Sequence, residues 1–484
     1  MLKFKLLLLL GLLLVLLSAC AGETAPIEGQ AAKPSQANSQ ASESSEPVPV
    51  ELATAQEVSQ QEMNDYCLAC HANQEKLIET AKPEKAAGEL QAAGLVGDVI
   101  SREPWEKVWV DAVQFPGSIH GLNGCVGCHG GVQSPDKETA HAGLVVNPSK
   151  DAQALCGKCH PDIVSYNTSS LHANQTGFYT VMNARSAPRS HAGLKAAIDG
   201  NCTSCHTTCG ECHVSQPAMA GGGFVNGHLF SRTPSMTANC AVCHSSRVGN
   251  EYLGKNDGQP ADVHFEQGGM DCMQCHNAHE IHGQPDDCSS CHPGPQNSAV
   301  QPPDHRYGGI QSPRCESCHA NISAGQDEIL MHQMHGSNLS CQVCHSVAYT
   351  NCDGCHVTGK DPAGKPIYEL ESVYSMFLIG RNPMQSYERP YRYVPVRHVP
   401  VTRDIFDLFG ANLLPNFDQV ETWKYTTPHN IQRRTPQTES CNACHGNPAV
   451  FLTADKIAPD ELEANRKVIV DSPPPPITSR DQLP

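Results

Sequence analysis

Aromatic side chains make up only 5% of this 484-residue chain, and Ala, Val, Ile, Leu, Met, Phe, Trp, Tyr and Cys together reach just 39%. A chain of this length normally carries more apolar material to bury. Either much of it stays unfolded, or something other than side chains fills the interior. Basic charge is also short. Thirty-three Lys and Arg face 50 Asp and Glu, for a formal net charge of −17. A nucleic-acid partner needs a basic face, so that class is excluded. After the N-terminus no apolar run is long enough for a membrane span. Cysteine outside one repeated pattern is missing too, with the single exception of Cys20.

The N-terminus reads as an export signal. Lys3 and Lys5 precede a leucine run over 6–17, broken only by Gly11 and Val15. That run is too short to span a bilayer and suits a secretory signal. Leu17-Ser18-Ala19-Cys20 resembles the bacterial lipobox, in which cleavage leaves a cysteine that is then lipidated. The alternative is an ordinary signal peptide with an incidental cysteine. The expectation is a signal over 1–19 and a lipid on Cys20, holding the protein at a membrane surface outside the cytoplasm, periplasmic or on the cell surface. Residues 20–56 are rich in Ala, Ser, Gln, Glu and Pro, the composition of a disordered tether.

The remaining 24 of the 25 cysteines fall into twelve C-x-x-C-H units. They are Cys67 and Cys70 before His71, Cys125 and Cys128 before His129, Cys156 and Cys159 before His160, and Cys202 and Cys205 before His206. Next come Cys209 and Cys212 before His213, Cys240 and Cys243 before His244, Cys272 and Cys275 before His276, and Cys288 and Cys291 before His292. The last four are Cys315 and Cys318 before His319, Cys341 and Cys344 before His345, Cys352 and Cys355 before His356, and Cys441 and Cys444 before His445. Two thiols three positions apart can each add to one vinyl group of a single haem, and the following His then supplies an axial imidazole. The pattern therefore reads as covalent haem c attachment, twelve times over. Zinc sites do not need a His after every pair, and disulfides would leave both the fixed spacing and the trailing His unexplained.

Thirteen of the 25 histidines lie outside these motifs: His120, His141, His172, His191, His228, His264, His279, His282, His305, His332, His335, His398 and His429. Twelve bis-histidine haems need twelve distal ligands, so the supply exceeds the need by one. Nine motifs have such a His five to fifteen residues upstream of the first Cys, although nothing in the spacing says that it serves its own motif. Methionine is the alternative axial ligand, with Met270, Met273, Met331 and Met334 near motifs.

Eleven motifs crowd into Cys67 to His356, too densely for large independent domains. The expected fold is mainly α, with much irregular structure, little β and a core of stacked haems. Helices are expected over Glu57–Cys70, Lys76–Ala93, Trp105–Val113 and Pro459–Val468. The eleven-motif region is placed at 57–356, with two modules at about 57–215 and 216–356 as an option. Residues 357–440 carry no motif but many aromatics and arginines, with an alternation around Tyr391–Arg397 that predicts extended chain. That segment either wraps the core and supplies His398 and His429, or builds a docking face or anion pocket on Arg392, Arg397 and Arg403. Residues 441–484 hold the last motif and a polyproline tail, Pro473 to Pro476, expected to be mobile.

Taken together, the stretch from Cys67 to His445 resembles the bacterial multihaem cytochromes c. The resemblance implies electron transfer between a membrane quinol-linked donor and an extracytoplasmic acceptor: a downstream cytochrome, a reductase or an extracellular acceptor such as a mineral. Self-association into a haem filament is a variant of the same role. The class also includes reductases of nitrogen and sulfur oxyanions, several of which replace one attaching His by Lys. Every motif here ends in His, which favours a carrier over an enzyme.

Overall fold

A computed structural model describes residues 66–81, 102–168, 170–201, 207–256, 258–283, 313–322, 327–336, 338–349, 351–360, 366–373, 377–385 and 389–479. The signal, the tether, Cys20, the motifs ending at His206 and His292, and His305 lie outside the described residues. So do the side chains of 351–360, and with them His356.

Short helices dominate. The leading ones are α1 (Gln74–Thr80), α2 (Thr176–Arg185), α3 (His191–Asn201) and α4 (Leu330–His335). Helix α1 starts where the Asn73 side chain accepts the Lys76 N–H, with Glu75 in the first turn, the arrangement a helix N-terminus favours. Residues 66–71 are also helical, within the stretch expected from Glu57. Two expected helices are absent. Trp105–Val113 holds only a single 3-10 turn, Glu106–Val108. Pro459–Val468 is a run of turns. Its last residues are drawn out instead: the Val468 carbonyl accepts from Arg381 N–H and the Val470 N–H donates to Leu452. Tertiary pairing thus outweighs the local preference.

Two small antiparallel sheets complete the fold. β1 (Asn351–Lys360) pairs with β2 (Pro366–Val373). β4 (Tyr393–His398) lies between β3 (Leu378–Arg381) and β5 (Trp423–Tyr425), with Gly380 opposite Val394 and Val396 opposite Tyr425. The extended chain expected around Tyr391–Arg397 is therefore strand β4. Gly380 is required in β3, because a Cβ there would meet Val396 Cγ2 at 2.7 Å.

Among the described residues, the apolar clusters gather mainly around this sheet. One joins Leu378, Val394, Val396, Leu452 and Val468. A second packs Val343, Ile379, Phe451 and Val470. The third sets Leu194, Ala197 and Ile198, spaced to share one face of α3, against Phe406, Leu413, Leu414 and Phe417. Each fully buried Leu or Ile here contributes about 1.5–3 kcal/mol. The motif-rich residues 66–168 contribute only scattered buried apolar side chains: Leu77, Val110, Phe115 and Val164. No described helix is long and apolar enough to cross a membrane. Residues Thr54–Pro484 form a single unit by their internal contacts.

Candidate functional site: nine histidine pairs

The motifs place their ligating atoms by backbone geometry. Cys125–His129, Cys209–His213, Cys272–Cys275, Cys315–Cys318 and Cys341–His345 are each one short α-helical turn. Positions i, i+3 and i+4 share one face of such a turn, so two thiols and an imidazole converge. The motif starting at Cys352 departs from this: it lies on strand β1, with a register irregularity between Cys352 and Gly354.

All nine motif histidines whose side chains are described are paired. Each faces one histidine from outside the motifs: His71 with His141, His129 with His228, His160 with His120, His213 with His282, and His244 with His172. The others are His276 with His429, His319 with His264, His345 with His332, and His445 with His335. Their ring centroids lie between 5.9 and 6.4 Å apart, while the interplanar angle runs from 6° to 71°. Simple ring–ring contact also falls in the range of about 4.5–7 Å, but nearly parallel rings in direct contact would sit closer than the 6.1 Å of His213 and His282. An imidazole Nε2 sits ~1.1 Å from its ring centre and a metal–imidazole bond is ~2.0 Å long, so two imidazoles on opposite sides of one metal ion put their ring centres ~6.2 Å apart. The spacing fits a single iron between each pair.

Hydrogen bonds at the other nitrogen orient these rings. Nδ1 of His71, His129, His213, His345 and His445 bonds the carbonyl of Val108, Val145, Ser231, Gln432 and Pro475 respectively, at 2.7–3.1 Å. His141 and His282 bond the Lys137 and Ala278 carbonyls in the same way. Holding the proton on Nδ1 leaves Nε2 free as a donor to metal. Three rings use a carboxylate instead: His276 with Glu280, His264 with Asp262, and His332 with Asp327.

Burial keeps several of these imidazoles neutral, the form a metal ligand needs. Desolvation pushes the pKa of His228, His244 and His429 down to about 4. His228 is clamped edge-on by Phe115 and Phe224, each at 4.4 Å, and takes a left-handed φ of 70°, a conformation that costs about 1 kcal/mol.

Thiols of different motifs also meet. Cys67 bonds Cys125, Cys156 bonds Cys209, Cys240 bonds Cys272 and Cys315 bonds Cys341. Between these couples, Cys128 acts electrostatically on Cys156, Cys212 on Cys240, Cys275 on Cys318, and Cys344 on Cys444. Joined end to end, these thiol bonds and electrostatic couplings link the motifs of His71, His129, His160, His213, His244, His276, His319, His345 and His445, which is their order in the sequence. Side chains agree with this path. Phe230 stacks on His120 at 3.9 Å and touches His228, and α4 carries both His332 and His335.

The upstream-histidine pattern does not describe these pairings. His120, five residues before Cys125, pairs with His160, and His429, just ahead of Cys441, pairs with His276. A ligand for the far side of a flat group must come around it, and a short leash from the same motif does not reach. His398 is not a pairing ring of this kind. Its Nδ1 bonds the Val399 carbonyl at 2.8 Å and its Nε2 bonds Glu461 at 3.1 Å. His191 differs, with a buried Nε2 that has no hydrogen-bond partner.

The arginine pocket expected near 392–403 is not assembled. Arg397 is buried against Glu251 at 2.6 Å, Arg403 pairs with Asp418, and Arg392 lies over the Tyr393 ring. The polyproline tail, expected to move freely, is bonded over the last motif. Gly446 N–H donates to Pro474, and Asn442 holds both the N–H and the carbonyl of Ile477. Gly446 adopts φ 71°, and a Cβ there would meet Pro476 at 2.7 Å.

Sequence reasoning missed Glu251, Asp262, Glu280 and Asp327. Only Glu280, four residues after His276, carried a local signal. Comparison with family models, with curated proteins and with solved structures finds no match for the chain.

Proposed function

We propose that this protein is an exported, lipid-tethered electron carrier holding twelve covalently attached haem c groups, and that the nine histidine pairs are the axial ligands of nine of them. The pairing carries the reading: every described motif histidine faces one non-motif histidine at the separation that a shared iron requires. When bound, each haem supplies a one-electron Fe(III)/Fe(II) couple with no open coordination position. The residues do the rest. The cysteines would hold each group covalently, the paired imidazoles would bind its iron, and the Nδ1 partners set the ring orientation. Thiol bonds and electrostatic couplings between motifs support a single file of attachment points, and groups of that size would supply the interior that residues 66–168 lack.

The histidine arithmetic closes on this reading. Nine of the thirteen non-motif histidines are used, which leaves His191, His279, His305 and His398 for the motifs of His206, His292 and His356. His398 already bonds Glu461, so it is the surplus ring, and the other three serve the remaining motifs. The tether and Cys20 would place the chain at a membrane surface, between a quinol-linked donor and an extracytoplasmic acceptor.

Two measurements on the purified protein test this. Intact mass is expected to exceed the chain mass by twelve haems, and carbon monoxide added to the reduced protein is expected to leave the visible spectrum unchanged. A mass short of twelve haems would break the attachment reading. A carbon monoxide adduct would show an open iron and turn the assignment toward a terminal reductase.

A further inference from the structure

Eight of the paired rings hydrogen-bond to a neutral backbone carbonyl, but three bond to carboxylates. Glu280 grips His276 Nδ1 with both oxygens, at 3.0 and 3.1 Å. Asp262 bonds His264 at 2.8 Å and Asp327 bonds His332 at 2.5 Å. The acids are sheltered, with side-chain exposures of 2% for Asp262 and 18% for both Glu280 and Asp327, so water screens their charge poorly. The three rings belong to the pairs of His276, His319 and His345. The Cys315 thiol bonds Cys341, and Cys275 acts electrostatically on Cys318, so the three motifs are neighbours.

An ionised acceptor makes a hydrogen bond about twice as strong as a neutral one. It draws the Nδ1 proton toward itself and leaves Nε2 richer in electrons. An electron-rich imidazole favours ferric over ferrous iron, and a nearby negative charge opposes the added electron for the same reason. Both effects lower the reduction potential.

We propose that Glu280, Asp262 and Asp327 make the stretch through His276, His319 and His345 the low-potential section of the haem chain. The inference rests on the haem reading above. Each transfer along this section moves one electron from a ferrous iron to its ferric neighbour, with no bond made or broken. The final motif sits outside the section, because His445 bonds the Pro475 carbonyl.

The test is a potentiometric titration of the full-length holoprotein, read by visible absorption, for the wild type and for Glu280→Gln, Asp262→Asn and Asp327→Asn. Glu280→Gln is the leading variant, since the Glu280 carboxylate contacts only His276 among the hydrogen bonds described. Each variant is expected to move about one twelfth of the titration upward, out of its most negative part. The shift corresponds to about a tenfold change in one Fe(III)/Fe(II) equilibrium, ~59 mV for a one-electron couple. Haem content and the low-spin spectrum are expected to stay as in the wild type. Asp418→Asn, which alters a carboxylate paired with Arg403, is expected to leave the titration unchanged. An unchanged most negative part in all three variants, or an equal shift in the Asp418 control, overturns the proposal while the haem reading stands. A protein that carries no haem fails on mass alone, and both fall.

Discussion

Replacing Glu251 with alanine is expected to lower stability by about 3–5 kcal/mol, because it strands the Arg397 guanidinium in the interior. Both side chains are essentially inaccessible, at 0% and 3% exposure, with Arg397 Nη2 at 2.6 Å from Glu251 Oε1. Glu251 also accepts the Tyr349 hydroxyl and the His429 backbone N–H. Arg397 lies over the rings of Tyr349 and Phe377, at 5.3 and 5.4 Å. Burial raises the Glu251 pKa while Arg397 opposes that rise, so the pair survives by mutual need rather than by solvation. The consequence reaches the ligands. His429 would lose the bond that fixes its backbone, and one iron should turn high-spin. Denaturant melts combined with low-temperature electron paramagnetic resonance check both parts. The double variant Glu251→Leu with Arg397→Met, which removes both charges, is expected to recover most of the stability. Full loss in the double variant would show that the geometry of Tyr349 and His429, rather than the charges, carries the effect.

The second large effect concerns the middle of the chain of motifs. On the proposed haem reading, replacing Cys240 and Cys243 with alanine would remove one attachment point while leaving eleven. In the thiol path this motif joins Cys212 on one side to Cys272 on the other. Electron transfer between the two ends is expected to fall by orders of magnitude, read as end-to-end conductance of single molecules between electrodes. The same change at Cys67 and Cys70, an end of the path, should shorten it without interrupting it. If the central variant conducts as well as the end variant, the motifs are not in single file.

Much of this was written in the sequence, and the reason is chemical. On the proposed haem reading, covalent attachment would demand two thiols and an imidazole at fixed spacing, which is why Cys67 to His71 and its counterparts stand out one residue at a time. The histidine count was legible as well, but the partners were not. His276 and His429 meet because β5 and the segment after it bring His429 alongside Glu251, and no local pattern encodes that. Secondary structure was least legible where tertiary bonds decide. Pro459–Val468 has a helical composition, yet Val468 serves a sheet edge. The polyproline tail looked free because polyproline makes no internal hydrogen bonds, whereas here its carbonyls are acceptors for Gly446 and His445. Asp262 and Asp327 were silent because acids abound in a chain of net charge −17.

The histidine pairs also dictate an order of assembly. His71 with His141, His120 with His160, and His129 with His228 close loops that overlap along the chain, and His276 with His429 closes a longer one across it. Each closure removes freedom from the unfolded chain, and an overlapping set can be completed only when both ends of each loop have emerged. On the proposed haem reading, the N-terminal motifs would wait, half-ligated, until residues as late as His228 arrive, and the motif of His276 would wait for His429. Such a chain would be loaded while extended and closed last of all from its C-terminal end.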